Sequence, residues 1–250
     1  DVGVFRVRRD LGQSFVSALS TVRTIDGGGH NTVFGPDFQW RPNAKDNFQG
    51  QFVWSDTRTP NRPELATEWD GRPLFDHAFT ANYGHGGRFF DFFVQGQDIG
   101  EDFRADDGFI PQVGYREQNV ETGWTFRPHG FLSRLRTFIE LNKQVERDTG
   151  ATISDNASPG AAMDTKLSGF MQLRWDRTHL RAADQLFKRN QFGGVVGGPA
   201  YIPQLVNGKD KMWFFFAYQG ERIRQFSPLT GVMPTVDQKA MRCPSGDQVG

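Results

Sequence analysis

The sequence reads as all-β: an antiparallel up-and-down transmembrane β-barrel, or a partial barrel sheet with long loops. Three observations carry that reading. The chain of 250 residues holds 24 Phe, 6 Trp and 29 Gly, yet only 37% of its residues are hydrophobic. Apolar and polar residues alternate along its strand-like runs. Runs of about ten residues, joined in turn by tight turns and by loops of about ten or more, are the pattern of outer-membrane strands rather than of a packed soluble sandwich.

The elements follow in order. Phe5 and Val7 point one way and Arg6 and Arg8 the other; residues 10–13 turn tightly, and residues 15–22 run back. Residues 26–31, with three glycines, form a longer connector. Phe34, Phe38 and Trp40 then oppose Asp37, Gln39 and Arg41, with Pro36 a defect suited to an edge or a bulge. After the turn at 42–46, Phe48, Gly50, Phe52 and Trp54 oppose Asn47, Gln49, Gln51 and Ser55. A polar connector spans 57–73. Phe75, Phe79, Ala81 and Tyr83 alternate with Asp76, Thr80 and Asn82, and residues 85–88 turn into Phe90, Phe92 and Val94. Residues 100–114 form a long acidic connector.

Val120, Thr122, Trp124 and Phe126 come next, then a turn at 127–130. Leu135, Ile139, Leu141 and Val145 oppose Arg134, Arg136, Glu140, Asn142, Gln144 and Glu146. That strand is too long and too polar on one face for a dry core. Residues 147–166 read as a loop, Met171, Leu173 and Trp175 mark a further strand, and a charged connector leads to residue 190. Residues 191–198 and 212–219 form a hairpin across a polar connector at 207–210. The second strand of that hairpin is almost wholly aromatic, with Phe214, Phe216 and Tyr218 on one face and Trp213 and Phe215 on the other. Beyond Arg222, with Pro228, Pro234 and Pro244, the chain reads as loop with a short helical turn at 236–241. Eleven or twelve strands result.

Composition excludes several classes. With 29 basic and 29 acidic residues the net charge is zero, so no general electrostatic footprint for nucleic acid exists. One cysteine, Cys243, can form neither a disulfide framework nor a cysteine zinc site. No run approaches the eighteen or so apolar residues of a spanning helix, and the first residues lack a signal-peptide core. The start within a strand and the end in SGDQVG suggest a piece of something longer.

Two resemblances overlap this reading. FRVRRDLG (5–12), DFRADDGFIPQ (102–112), GWTFRP (123–128), QVERDTG (144–150) and MDTKLSGFMQLRW (163–175) resemble the C-terminal barrel of a bacterial outer-membrane family of unassigned function. Longer members of that family carry a carbohydrate-binding-like module. NQFGGVVGGP (190–199), WFFFAYQGER (213–222) and VMPT (232–235) are similar instead to the first barrel strands of TonB-dependent, Oar-like outer-membrane receptors. The resemblances imply outer-membrane barrel strands over 1–189. Over 190–250 they imply a receptor-like hairpin and C-terminal loop of the same sheet. These families are not normally joined here, so residues 188–191 read as the seam of a chimera or fragment. No plug or energy-coupling box is visible, so coupling to a TonB-type protein stays open.

Candidate sites weigh little beside the strands. Asp98, Glu101, Asp102, Asp106 and Asp107 could gather oxygens around a hard cation, but their spacing is not that of an EF-hand. The same acids could be offered as a glycosidase pair, which would need a fixed gap across one sugar. His30, His77, His85, His129 and His179 are scattered, three of them in turns or loops. Asn156-Ala157-Ser158 fits a glycosylation triplet, and no GxSxG or phosphate-loop pattern occurs. The expectation is therefore no catalytic residue, metal or cofactor.

As a whole, the chain reads as an outer-membrane transport or receptor component of a Gram-negative bacterium. Its partners would be outer-membrane lipid and a carbohydrate or other small solute, with no nucleic acid. A soluble all-β carbohydrate-binding module, or the non-catalytic barrel part of a carbohydrate-degrading enzyme, is the alternative left open.

Overall fold

The computed structural model describes residues 1–182, 185–202, 206–207, 212–225 and 235–236. It is all-β. The strands are β1 (Val2–Leu11), β2 (Ser14–Ile25), β3 (Gly29–Trp40), β4 (Asp46–Arg58), β5 (Pro73–Gly86), β6 (Phe90–Ile99), β7 (Tyr115–Phe126) and β8 (Leu132–Glu146). They continue with β9 (Thr152–Thr165), β10 (Phe170–Ala182), β11 (Gln185–Pro199), β12 (Tyr201–Ile202), β13 (Val206–Asn207), β14 (Trp213–Gln225) and β15 (Thr235–Val236). One sheet takes β1 to β11 in chain order and then β14 and β15, while β12 and β13 pair with each other. This is the up-and-down order expected of barrel strands, and it has two ends, β1 and β15.

The chain divides into two units. The first holds Asp1–Gly86, Phe92–Val120 and Lys143–Thr152; the second holds Gly87–Asp91, Glu121–Asn142 and Ile153–Gly250.

In the first unit the register of β2 to β5 gives the sheet one apolar and one polar face. Phe34 lies opposite Trp54, Trp40 opposite Phe48, Phe48 opposite Tyr83 and Phe52 opposite Phe79. The rings of Phe34 and Trp54, of Trp40 and Phe48, and of Phe48 and Tyr83 stack across strands, the last pair with centroids 4.3 Å apart, and along β4 the Phe52 and Trp54 rings meet edge-on. Such cross-strand pairs contribute about 0.2–1 kcal/mol each. This apolar face is nevertheless largely open: Phe34, Phe38 and Trp40 are all exposed, whereas Asn31 and Ser55 on the opposite face have 0% exposure. A soluble protein buries the apolar side and wets the polar one. Here the order is inverted, as in a sheet made to face hydrocarbon.

Gly35 and Pro36 show how β3 is fitted to its neighbours. A Cβ on Gly35 would lie 2.0 Å from the Phe52 carbonyl oxygen, so only glycine lets the two strands approach. Pro36, expected at an edge or bulge, sits instead in an interior strand: it is paired with Ala18 on β2, while the β3–β4 ladder resumes only at Asp37.

Other expectations are corrected in the same unit. The glycine connector is only the turn at 26–28, where Gly27 and Gly28 take positive φ, and His30 and Asn31 belong to β3. His85 likewise lies within β5, not in a turn. Val33, Val53, Leu74, Ile99, Phe103 and Tyr115 form the buried apolar set of this unit.

In the second unit β10 pairs with β9 and β11, and β11 with β14. Residues 152–165, read from sequence as loop, are a strand of 14 residues. Pro159, Gly160 and many small side chains hid it, because they weaken the period-two signal. The small residues make room for larger neighbours: a Cβ on Gly160 would lie 2.3 Å from the Phe138 ring. The supposed charged connector after Trp175 is also strand, since β10 runs to Ala182 and β11 begins at Gln185. Residues 188–191, the proposed seam, lie inside β11 and are paired on both sides.

Faces alternate here as well: Trp124 and Phe126 are exposed while Thr125 between them is buried. β14 continues to Gln225, three residues beyond Arg222, after which the sequence reads as loop, and Val236 belongs to β15. The rest of the expected C-terminal loop and helical turn, and Cys243, lie outside the described residues.

Candidate functional site

The polar face of the first unit is covered by its own chain. Residues 100–114, between β6 and β7, fold against β3, β4 and β5, and side chains of those strands hold the loop by its backbone. Asn31 donates from Nδ2 to the Thr57 hydroxyl at 2.7 Å and to the Arg104 carbonyl at 3.0 Å; its Oδ1 accepts the Asp106 N–H at 3.1 Å. The Arg104 N–H donates to the Ser55 hydroxyl at 3.1 Å. On β2, Arg23 reaches the Asp106 carbonyl at 3.0 Å. Phe103, at 2% exposure, is the apolar anchor in an otherwise polar loop.

Loops usually run over the surface because buried backbone needs partners. Asn31, Ser55 and Arg23 supply them. Each satisfied bond contributes only about 0.5–1.5 kcal/mol net, but an unmade one in a buried place costs about 1–3 kcal/mol. The loop is therefore held as a set.

Both ends of the loop are fastened, by backbone hydrogen bonds and by charge. The Gly100 N–H donates to the His77 carbonyl at 2.9 Å and the Asp102 N–H to Asp76 Oδ2 at 3.2 Å. A Cβ on Gly100 would lie 1.9 Å from the Asp76 carboxyl carbon, so this glycine makes room for that carboxylate. Arg147 lies 3.4 Å from Asp76 and 3.0 Å from Asp98, and Arg116 pairs with Asp98 at 3.0 Å. Glu101 stands apart: repulsion from Asp148 holds its carboxyl above the ordinary range, with burial and Asp102 adding to it and Arg147 opposing it.

The acids singled out in the sequence are thus divided among different tasks. Asp98 is paired with arginines and Asp106 contributes backbone to the Asn31 clasp. Among the described residues no group of three or more His, Cys, Asp or Glu side chains is placed to hold a metal. The histidines are equally dispersed: His85 meets Asp46 at 2.7 Å, His77 meets Asp76 at 3.2 Å, His179 meets Asp155 at 3.1 Å and His30 lies 3.8 Å from Asp56. The glycosylation triplet lies within β9, where Asn156 donates to Ser158 at 2.8 Å and Ser158, with 0% exposure, donates to Asp176 at 2.6 Å.

Sequence reasoning missed Asn31, Ser55, Thr57 and Arg23 as holders of the loop. The one available signal was Phe103, a large apolar residue inside DFRADDG. Beside the loop lies a cavity of about 80 Å³, bordered by Thr57, Glu68, Trp69, Arg72, Arg104 and Asp106.

In the second unit the polar face carries charge pairs instead. Arg136 bonds Asp91 and, at 2.7 Å, Glu121, and it lies over Gly123, where a Cβ would meet the guanidinium at 2.7 Å. Arg174 bonds Asp176 at 2.6 Å and Glu140 at 3.0 Å, and Arg134 bonds Asp164 at 2.6 Å. The opposite face is apolar, with a groove of about 640 Å³ bordered by Leu173, Trp175, Phe192, Gly194, Phe216 and Tyr218.

A sheet with exposed aromatics on one face and satisfied polar groups on the other is what a membrane-crossing strand set requires. Residues 173–247 match the family model of an outer membrane beta barrel domain. The matched segment begins in β10 and includes β11 and β14, the strands that border the apolar groove. The match supports an outer-membrane β-barrel protein and an outer-membrane location. No curated protein and no solved structure matches the chain. Among the described residues no helix is long and apolar enough to cross a membrane, which leaves crossing by strands untouched.

Proposed function

We propose that this outer-membrane barrel is a transport or receptor component of a Gram-negative bacterium, carrying out no reaction of its own, and that residues 100–114 restrict what passes along its polar face. The observation that supports this is the clasp of Asn31 and Ser55 on the backbone of residues 104–106. A covering loop held at its middle by amide and hydroxyl groups and at its base by ion pairs narrows the polar face to the scale of a small polar solute, carbohydrates included, while lipid contacts the apolar face.

The test is single-channel recording in planar bilayers with the full chain and with the double variant Asn31→Ala/Ser55→Ala. Small conductance steps that grow severalfold in the variant support the reading. An inserted, heat-modifiable barrel that conducts in neither form, and takes up no labelled sugar into vesicles, counts against it.

A further inference from the structure

Three turns of the second unit form a surface that the transport reading does not use. Residues 87–89 (Gly-Arg-Phe) precede β6, residues 127–131 (Arg-Pro-His-Gly-Phe) join β7 to β8, and residues 166–169 (Lys-Leu-Ser-Gly) join β9 to β10. They are tied together: Arg127 donates to the Arg88 carbonyl at 2.5 Å, the Thr125 N–H to the Phe89 carbonyl at 2.8 Å, and the Lys166 N–H to the Phe131 carbonyl at 3.0 Å.

The surface is basic without compensation. Arg88, Arg127, His129 and Lys166 are all exposed, and none of the three turns contains an aspartate or glutamate. The carboxylates flanking them in the chain are already engaged, Asp91 by Arg136 and Asp164 by Arg134. Large apolar side chains stand among the cations. Phe89, Phe126, Phe131 and Leu167 are each at least half exposed, and the Arg88 guanidinium lies 5.1 Å from the centre of the Phe89 ring.

Exposed rings beside cations that make no ion pair among the described residues suit neither bulk water nor hydrocarbon alone. They suit the boundary between the two, where ring bodies enter the acyl region and cations meet phosphate. We propose that this three-turn surface docks on the phosphate headgroups of anionic phospholipid. The proposal rests on the barrel reading above, under which short turns face the periplasm, so the lipid is that of the periplasmic leaflet.

The experiment uses the full chain refolded in phosphatidylcholine vesicles that carry a trace of spin-labelled phosphatidylglycerol or spin-labelled phosphatidylcholine. The fraction of each label immobilised by the protein is read by electron paramagnetic resonance. Phosphatidylglycerol is enriched over phosphatidylcholine around the native chain, and each of Arg88→Gln, Arg127→Gln and Lys166→Gln lowers that enrichment by up to about fivefold. The triple variant shows none. Arg127→Lys keeps the enrichment because it keeps the charge, and Arg41→Gln/Lys45→Gln, in the β3–β4 turn of the first unit, also leaves it in place. An inserted native chain without preference, or a triple variant with undiminished preference, overturns the docking proposal alone. A chain that neither floats with vesicles nor shifts on heating fails the membrane reading, and the proposal falls with it.

Discussion

The two units meet the same demand by different means. Each has a polar face whose groups need partners. In the first unit a returning loop meets neutral side chains, so Asn31, Ser55 and Thr57 are buried beneath residues 100–114, with ion pairs such as Arg147 with Asp98 only at the base of the loop and Arg6 with Asp37 apart from it. In the second unit the partners are ions fixed along the strands: Arg136 between Asp91 and Glu121, Arg174 between Glu140 and Asp176, Arg134 on Asp164. Neutral clasps in confined places are insensitive to salt but fail when one member is lost. Partly exposed ion pairs are weaker singly, are screened by salt, and lose little when one is removed. The difference separates a stretch of polar face covered by a loop from one partnered by charge along its own strands.

The largest effect is expected at Asn31. Asn31→Leu leaves the Thr57 hydroxyl, the Arg104 carbonyl and the Asp106 N–H without their partner, at about 1 kcal/mol or more for each. Urea unfolding in lipid should show a loss of about 3 kcal/mol, and limited proteolysis should cut within residues 100–114. Protection of the loop in this variant would show that Phe103, not the clasp, holds it.

Next comes the contrast between faces. Phe52→Asp, on the apolar face, should cost about 2 kcal/mol or more if it lies near the membrane midplane, whereas Gln51→Asp on the polar face should cost little. Equal losses in the same unfolding assay would remove the assignment of faces.

The charge pairs should rank by exposure. Arg136 has a side chain only 20% exposed and serves two carboxylates, while Arg134 is 44% exposed and serves one. Arg136→Met is expected to cost about 2 kcal/mol and Arg134→Met less than about 1 kcal/mol. High salt should shrink both losses but leave that of Asn31→Leu unchanged. A salt-independent Arg136 effect would mean that its packing over Gly123 matters more than its charge.

The smallest effect is a pH dependence. Because Asp148 holds the Glu101 carboxyl above its unfolded value, the folded loop binds this proton more readily than the unfolded chain does. Stability from this group is present below the ordinary glutamate range and is lost as pH rises through the raised value. Proteolysis of residues 100–114 should therefore quicken slightly as pH rises through that window, and Glu101→Gln should flatten the profile. A loop that loosens as pH falls would reverse the sign and remove Glu101 as the cause.

Much of the fold was legible along the chain because a two-faced strand writes its period into the sequence. Phe48 to Trp54, Phe75 to Tyr83 and Trp124 to Phe126 announce both strand and facing, and the limits of β7 at Tyr115 and Phe126 fall where the polar connectors stop. β9 did not announce itself, since a strand of Ser, Ala, Gly and Pro carries almost no hydrophobic contrast. Its identity comes from Phe138 and β10, which need a partner without bulk at Gly160.

The sequence by itself determined the all-β class, the alternation of the faces, the aromatic hairpin of β11 and β14, and the acidic loop as a distinct segment, because each depends on residues near one another in the chain. Tertiary structure alone decided that Asn31, 73 residues away from Arg104, would hold that loop by its backbone, and that Asp98 at its base would pair with Arg116 and Arg147. Hydrogen-bond partners distant in sequence leave no periodic trace, and only the register of β2 to β5 brings them together.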